Sequence, residues 1–223
     1  VKIVLYSGYD DDNLFLDHEL IRMSGKLRPK ITFIPSSHYA PEDEYIYFCN
    51  TFLEYGISQI DILNIDQPYS QGQLHHALKS DIIFLGGGNT FYFLKSILNH
   101  GFDQHLTRFL KHGGVVSGLS AGAIVLTPSI ATAGYPKFDR DDNTVQLKNL
   151  SALNFVPFDF FPHYGHEPEY VSELIKQSKK QKNRPIYAVA DGGGIIIKKH
   201  TTTFYGDIWC YLGGSFSQIS TLK

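Results

Sequence analysis

Short apolar runs alternate with longer amphipathic stretches through roughly the first half of the chain. Residues 2–7, Lys2-Ile3-Val4-Leu5-Tyr6-Ser7, read as a buried strand that stops at Gly8. Asp10, Asp11 and Asp12 then supply cap and first-turn acids for a helix running to about Met23. A second strand, Lys30–Ile34, is stopped by Pro35, and Pro41-Glu42-Asp43-Glu44 opens the next helix with proline and acids in its first turn. Tyr45, Phe48 and Phe52 share one face of that helix, a spacing expected of core residues rather than of a pocket lining, and Gly56 ends it. A third strand follows at Ile60–Leu63, then a short helix around Leu74–Leu78 and a fourth strand at Asp81–Leu85. This last strand runs into Gly86-Gly87-Gly88-Asn89-Thr90 and a helix to about Leu98. A further helix, Phe102–Lys111, closes at Gly113-Gly114, and the apolar pair Val115-Val116 begins a fifth strand. Strand and helix alternating with short connections predict an α/β fold: a mostly parallel sheet covered by helices on both faces, with its site at the carboxyl ends of the strands.

Beyond Pro128 the pattern changes. Residues 131–143 look like loop, with Asp139-Arg140-Asp141-Asp142-Asn143 as a polar tip. Val145–Leu147 and Phe158–Phe161 suggest strands, and a helix is predicted over Glu167–Gln181. Its Lys176, Lys179 and Lys180, with Lys182 just beyond, read as a solvated face. Pro185–Ala190 is another buried strand, ending at Asp191-Gly192-Gly193-Gly194. Ile195–Lys199, Thr201–Tyr205 and Ile208–Leu212 read as antiparallel ribbons. With no internal repeat, low-complexity tract or composition break, residues 1–223 are expected to form one domain.

Composition narrows the function classes. Hydrophobic residues make up 43% and charged residues 19%, the balance of a soluble globular chain. A net charge of −2 gives no electrostatic case for nucleic acid or an anionic membrane as partner. Cys49 and Cys210 are far apart and lack metal-ligand spacing, so they are expected to be buried free thiols in a reducing compartment. The adjacent His75 and His76 do not share a helix face and make a poor metal pair. The first apolar run is too short for a signal peptide, and no run reaches membrane-spanning length. The cytoplasm is the expected location.

The chemistry is concentrated in Gly118-Leu119-Ser120-Ala121-Gly122, where a buried strand meets a helix. This is the G-x-S-x-G pattern of a nucleophile elbow. Glycine two residues to either side lets the tight turn close and leaves the Ser120 hydroxyl in the open. Ala121 begins the helix, so its N–H is unpaired and can face a developing oxyanion. The bland alternative is a Gly-rich turn with a surface serine. Gly86-Gly87-Gly88-Asn89-Thr90 lacks the Lys-Ser/Thr of a phosphate loop and the G-x-G-x-x-G of a dinucleotide site, which leaves it suited to an oxyanion at a neighbouring strand end. A serine nucleophile needs a base and an acceptor to orient it. His163 follows an aromatic strand-like run, with His166 as its rival, and Asp191 stands at a strand end on the same predicted edge. Each also has an ordinary reading, as a polar loop histidine and a turn aspartate.

Taken together, Gly86-Gly87-Gly88-Asn89-Thr90, Gly118-Leu119-Ser120-Ala121-Gly122-Ala123 and Pro162-His163-Tyr164 resemble the peptidase E (aspartyl dipeptidase) and cyanophycinase family of serine peptidases, in motif order over essentially the whole chain. The resemblance implies a class I glutamine-amidotransferase-like α/β fold with antiparallel C-terminal strands, and a serine peptidase acting on short peptides, among them dipeptides with an N-terminal aspartate. It implies Ser120 as nucleophile and His163 as base, with Gly88 and Ala121 forming the oxyanion hole and Gly87 and Asn89 bordering the substrate. No metal or organic cofactor is implied. Three features depart from the family pattern. An acidic residue that is often glutamate there is Asp191 here, one methylene shorter; an aspartate placed by some accounts in the loop after the elbow corresponds to Tyr135; and the arginine that reads an N-terminal aspartate is missing from Glu167–Gln181. Asp191 is therefore the expected third member of the triad. The alternatives are a related hydrolase, an isopeptidase or esterase of cyanophycinase type, or a non-catalytic binding module of the same fold. A glutamine amidotransferase would carry cysteine at the elbow, and neither Cys49 nor Cys210 lies in such a turn. The sequence leaves the oligomeric state open, a homodimer among the options.

Overall fold

The computed structural model describes residues 1–9, 13–37, 42–181, 183–219 and 221, without the side chains of residues 42 and 43. The predicted caps at Asp10, Asp11, Asp12 and Pro41, the side chains of Glu42 and Asp43, and Lys182 lie outside the described residues.

Strands β1 (Lys2–Tyr6), β2 (Ile31–Ile34), β3 (Ile60–Ile62), β4 (Ile82–Leu85) and β5 (Val115–Leu119) alternate with helices α1 (Leu14–Ser24), α2 (Glu42–Glu54), α3 (Gln71–Ala77), α4 (Thr90–Asn99) and α5 (Phe102–Lys111). The five strands pair in parallel in the order β3-β2-β4-β5-β1. β8 (Gly194–Lys198) and β9 (Thr201–Tyr205) extend this sheet antiparallel beyond β1, so it has seven strands. Successive side chains of a strand point to opposite faces, and here both faces are apolar. Ile3 and Leu5 of β1 and Ile83 and Leu85 of β4 pack with α4, α5 and the short α6 (Ala121–Val125). Their neighbours Val4, Tyr6, Ile82 and Phe84 pack with Leu16 and Leu20 of α1 and Phe48 and Phe52 of α2. The two faces account for the continuous apolar runs, and the expected sheet covered on both sides is observed. Phe48 and Phe52 are fully buried, as their helix spacing predicts.

The second half of the chain forms a separate four-stranded sheet, β11-β10-β7-β6, from β6 (Asp159–Phe161), β7 (Ile186–Val189), β10 (Ile208–Leu212) and β11 (Ser215–Gln218). Helix α7 (Pro168–Gln181) packs Tyr170 and Leu174 against it, together with Ile186, Ala188 and Tyr211. The lysines of α7 at 176, 179 and 180 are exposed, as predicted.

Three local expectations are corrected. Val145–Leu147 is loop: the Asn143 side chain binds both the N–H and the C=O of Leu147 at 2.9 Å, taking the place of ladder partners, and Gln146 adopts φ 53°. The acidic stretch at 139–143 is no free tip. Thr90 N–H donates to Asp141 at 2.7 Å, Asn89 donates to the Asp142 carbonyl at 2.9 Å, and the Tyr170 hydroxyl donates to Asp139 at 2.7 Å. Cys49 and Cys210 are free but half-buried rather than buried.

Candidate active site

The elbow is built from the fifth parallel strand. β5 ends at Leu119, α6 begins at Ala121, and Ser120 between them holds φ 51° and ψ −110°. Strain of this kind in a residue that carries a side chain persists only where the surroundings hold it. Here Ser120 N–H donates to Tyr6 C=O at 3.0 Å, while Ala123 and Ile124 return hydrogen bonds to the Ser120 carbonyl. The flanking glycines have a steric reason. A Cβ on Gly118 would lie 2.2 Å from the Gly122 carbonyl oxygen, and one on Gly122 would lie 2.2 Å from that of Leu85.

Ser120 Oγ lies 2.8 Å from His163 Nε2, and His163 Nδ1 lies 2.8 Å from Asp191 Oδ1. The three side chains come from the ends of β5, β6 and β7, so both sheets are needed to assemble them. His166 is engaged elsewhere, with Nε2 2.5 Å from Asp207, whose other oxygen accepts from Trp209 and Gln218. Tyr135 is buried among Phe161 and Tyr170, and burial first, then Asp159, pushes its phenol well above the ordinary range. It supplies no carboxylate to the site.

The glycine-rich loop after β4 lies against the serine: a Cβ on Gly87 would be 4.0 Å from Ser120 Cβ. Among the described residues, neither Gly88 N–H nor Ala121 N–H has a hydrogen-bond partner. Gly87 N–H is already engaged, donating to Glu44 Oε1 at 2.8 Å. Burial raises the Glu44 pKa, and the bond from Gly87 opposes the rise. The Asn89 side chain caps α4 through Tyr92 N–H at 3.0 Å and holds Asp142, so its amide serves the loop's shape.

A cavity of about 310 Å³ opens beside Ser120 and His163, walled by Ile124, Tyr135, Phe161 and residues 138–141 of the tied-down loop. Arg140 lines it and makes no ion pair among the described residues, whereas its neighbours Asp139 and Asp141 are both hydrogen-bonded. Among the described residues, no cluster of three His, Cys, Asp or Glu side chains could hold a metal ion, and no helix is long and apolar enough to cross a membrane.

Sequence reasoning missed Ser7, Glu44 and Arg140 as site residues. Ser7 read only as a strand end, Glu44 as a first-turn acid and Arg140 as part of a polar tip. Their proximity to Ser120 depends on strand order and loop docking, and no local pattern records either.

A serine on a strand–helix elbow, bonded to a histidine that is bonded to a carboxylate at the carboxyl edge of a parallel sheet, is the arrangement of a serine-type hydrolase. The chain belongs to peptidase family S51, whose family model matches residues 3–205. An uncharacterized peptidase of Pasteurella multocida is 32% identical over 212 residues, covering 92% of this chain and 98% of its own. Peptidase E of Shewanella putrefaciens is 27% identical over 94% of this chain and 89% of its own. Among solved structures, a Listeria monocytogenes protein provisionally described as a peptidase E matches with a TM-score of 0.72 and 26% identity, over 92% of this chain and 98% of its own. A peptidase from an acI-B1 actinobacterium shares the fold, with a TM-score of 0.74 at 14% identity, over 100% of this chain and 95% of its own.

Proposed function

We propose that this serine peptidase hydrolyses short peptides through an acyl-enzyme formed on Ser120. The observation that carries the reading is the 2.8 Å contact between Ser120 Oγ and His163 Nε2, continued at the same distance to Asp191. Ser120 Oγ attacks the scissile carbonyl carbon while His163 Nε2 takes its proton, and Asp191 holds the Nδ1–H tautomer and supports the imidazolium. The N–H groups of Gly88 and Ala121, without partners among the described residues, donate to the oxyanion, each worth about 3 kcal/mol by comparison with single-donor removals in other enzymes. His163 returns the proton to the leaving amine. Water then attacks the acyl carbonyl, giving up a proton to His163, which passes it to Ser120 Oγ as the acyl C–Oγ bond breaks and the acid leaves.

Among substrates, a dipeptide with an N-terminal aspartate would find in the cavity the guanidinium of Arg140, which makes no ion pair among the described residues, in place of the arginine missing from the helix after His163. The reading is tested by treating wild type and Ser120→Ala with a small fluorophosphonate and assaying Asp-X, Leu-X and Ser-X dipeptides. Labelling confined to the wild type is expected, with turnover lowered about 10⁴-fold or more in the variant. Activity should persist in EDTA, since no step of this mechanism uses a metal ion. Equal behaviour of the two proteins would remove Ser120 from the chemistry. Cleavage of Leu-X and Ser-X but not Asp-X would keep the chemistry and reject the aspartate preference.

A further inference from the structure

Ser7 follows β1 directly and is completely buried, yet its hydroxyl meets three groups of the site. Ser7 Oγ accepts the His163 backbone N–H at 2.7 Å, donates to the Val189 carbonyl at 2.8 Å, and lies 3.1 Å from Asp191 Oδ1, the same oxygen that faces His163 Nδ1. Its backbone is pinned as well, with Ser7 N–H donating to the Gly193 carbonyl at 3.1 Å. The groups it holds are exposed: the His163 and Asp191 side chains retain 46% and 48% exposure, so packing alone does not set their geometry. His163 also sits at φ 55°, a backbone state that needs an external restraint. One buried hydroxyl therefore ties the last residue before the turn of β1 to the loop after β6 and the end of β7.

We propose that Ser7 is a positioning residue for the acyl transfer assigned to Ser120, His163 and Asp191, an inference that rests on that assignment. Ser7 touches no reacting atom. It fixes the His163 backbone and one Asp191 oxygen at the same point, so that Nε2 stays within reach of Ser120 Oγ. Loss of the hydroxyl leaves the His163 N–H without its partner and frees the histidine to drift, while the Val189 carbonyl keeps the Tyr164 N–H at 3.0 Å. A displacement near 1 Å in a reacting group can cost about 100-fold in rate.

The test compares the full-length wild type with Ser7→Ala and Ser7→Thr, and with Ser120→Ala and His163→Ala as controls. It follows fluorophosphonate inactivation as separate rate (kinact) and binding (KI) constants, and thermal melting shows that each variant is folded. Ser7→Ala is expected to lower kinact by about 10- to 100-fold with KI within about twofold, and Ser7→Thr, which keeps the oxygen, should recover most of the loss. Wild-type kinact in folded Ser7→Ala would overturn the proposal, as would a loss carried by KI. If Ser120→Ala and His163→Ala still label like the wild type, the assignment of the site itself fails, an outcome distinct from a silent Ser7. Should Ser7→Ala not fold, amide exchange of the wild type decides: His163 N–H is expected to exchange slowly, like the β7 amides, and exchange at the rate of an exposed loop would overturn the role given to Ser7.

Discussion

At Ser120 and His163 the backbone takes φ of 51° and 55°, and in each case a hydrogen bond from the residue's own N–H holds it there, to Tyr6 and to Ser7. The Gly118-Leu119-Ser120-Ala121-Gly122 pattern makes the first of these legible, because the pattern is local. Nothing near His163 in the chain foretells the second, since its partner is 156 positions away. Asp17 makes the same point about charge. It lies buried on α1, where the Tyr6 and Tyr55 hydroxyls donate to its two oxygens at 3.0 and 3.1 Å. Burial pushes its pKa up to about 6 from 3.8, against the opposing pull of the two tyrosine hydrogen bonds and His18. Between about pH 4 and pH 6 the folded chain thus keeps a proton that the unfolded chain has released, so stability falls as pH rises through that window, by up to about 3 kcal/mol from this group. Asp17→Asn should remove most of that slope. Urea unfolding of both proteins at pH 4 and pH 7 measures it, and parallel pH dependences would show that Asp17 carries no such linkage.

The elements follow local rules where the pattern is dense. Helix α5 and strands β9 and β10 match their expected bounds, because clean periodicity is flanked by Gly-Gly, by Gly206-Asp207 and by charged turns. Val145–Leu147 departs because two apolar positions either side of Gln146 are too few to outweigh an asparagine that offers the backbone both a donor and an acceptor. The β5–α6 elbow has little room. Gly122 N–H donates to the Gly86 carbonyl at 3.1 Å, and the Cα–H positions of Gly118 and Gly122 face backbone rather than movable side chains. Gly122→Ala must push β4 and the elbow apart, which is expected to cost about 3 kcal/mol or more and to lower the melting temperature sharply. A variant that melts within a degree or two of the wild type would show that the elbow can relax after all.

At the scale of the molecule, two sheets meet where the candidate site lies. The smaller sheet has an ion pair at its base, with the half-buried Arg184 holding Nε 3.0 Å from Asp159, whose side chain is fully buried. Burial raises the Asp159 pKa and Arg184 opposes the rise. Arg184→Met therefore leaves a buried carboxylate without its counter-charge, and a destabilisation of about 3 kcal/mol is expected. The loss should be larger at pH 7.5 than at pH 5, where protonation relieves the unpaired charge. Thermal melts of Arg184→Met at both pH values test this, and adding Asp159→Asn should return part of the loss. A loss independent of pH would point to packing rather than charge.

The sequence by itself determined the alternating elements, the two-faced sheet and the elbow serine, because hydrophobic period, glycine spacing and helix start signals act within a few residues of one another. It also placed His163 and Asp191 at strand ends on the expected edge, with His163 as the expected base and His166 as its rival. Only the tertiary structure shows their contacts, with His166 turned to Asp207 and His163 to Ser120. It alone divided the C-terminal strands between two sheets, seated Ser7 behind His163, set Glu44 behind the glycine loop and brought Arg140 to the cavity. These are contacts between residues far apart in the chain. Their geometry follows from strand order and loop docking, which hydrophobic patterning constrains but does not specify.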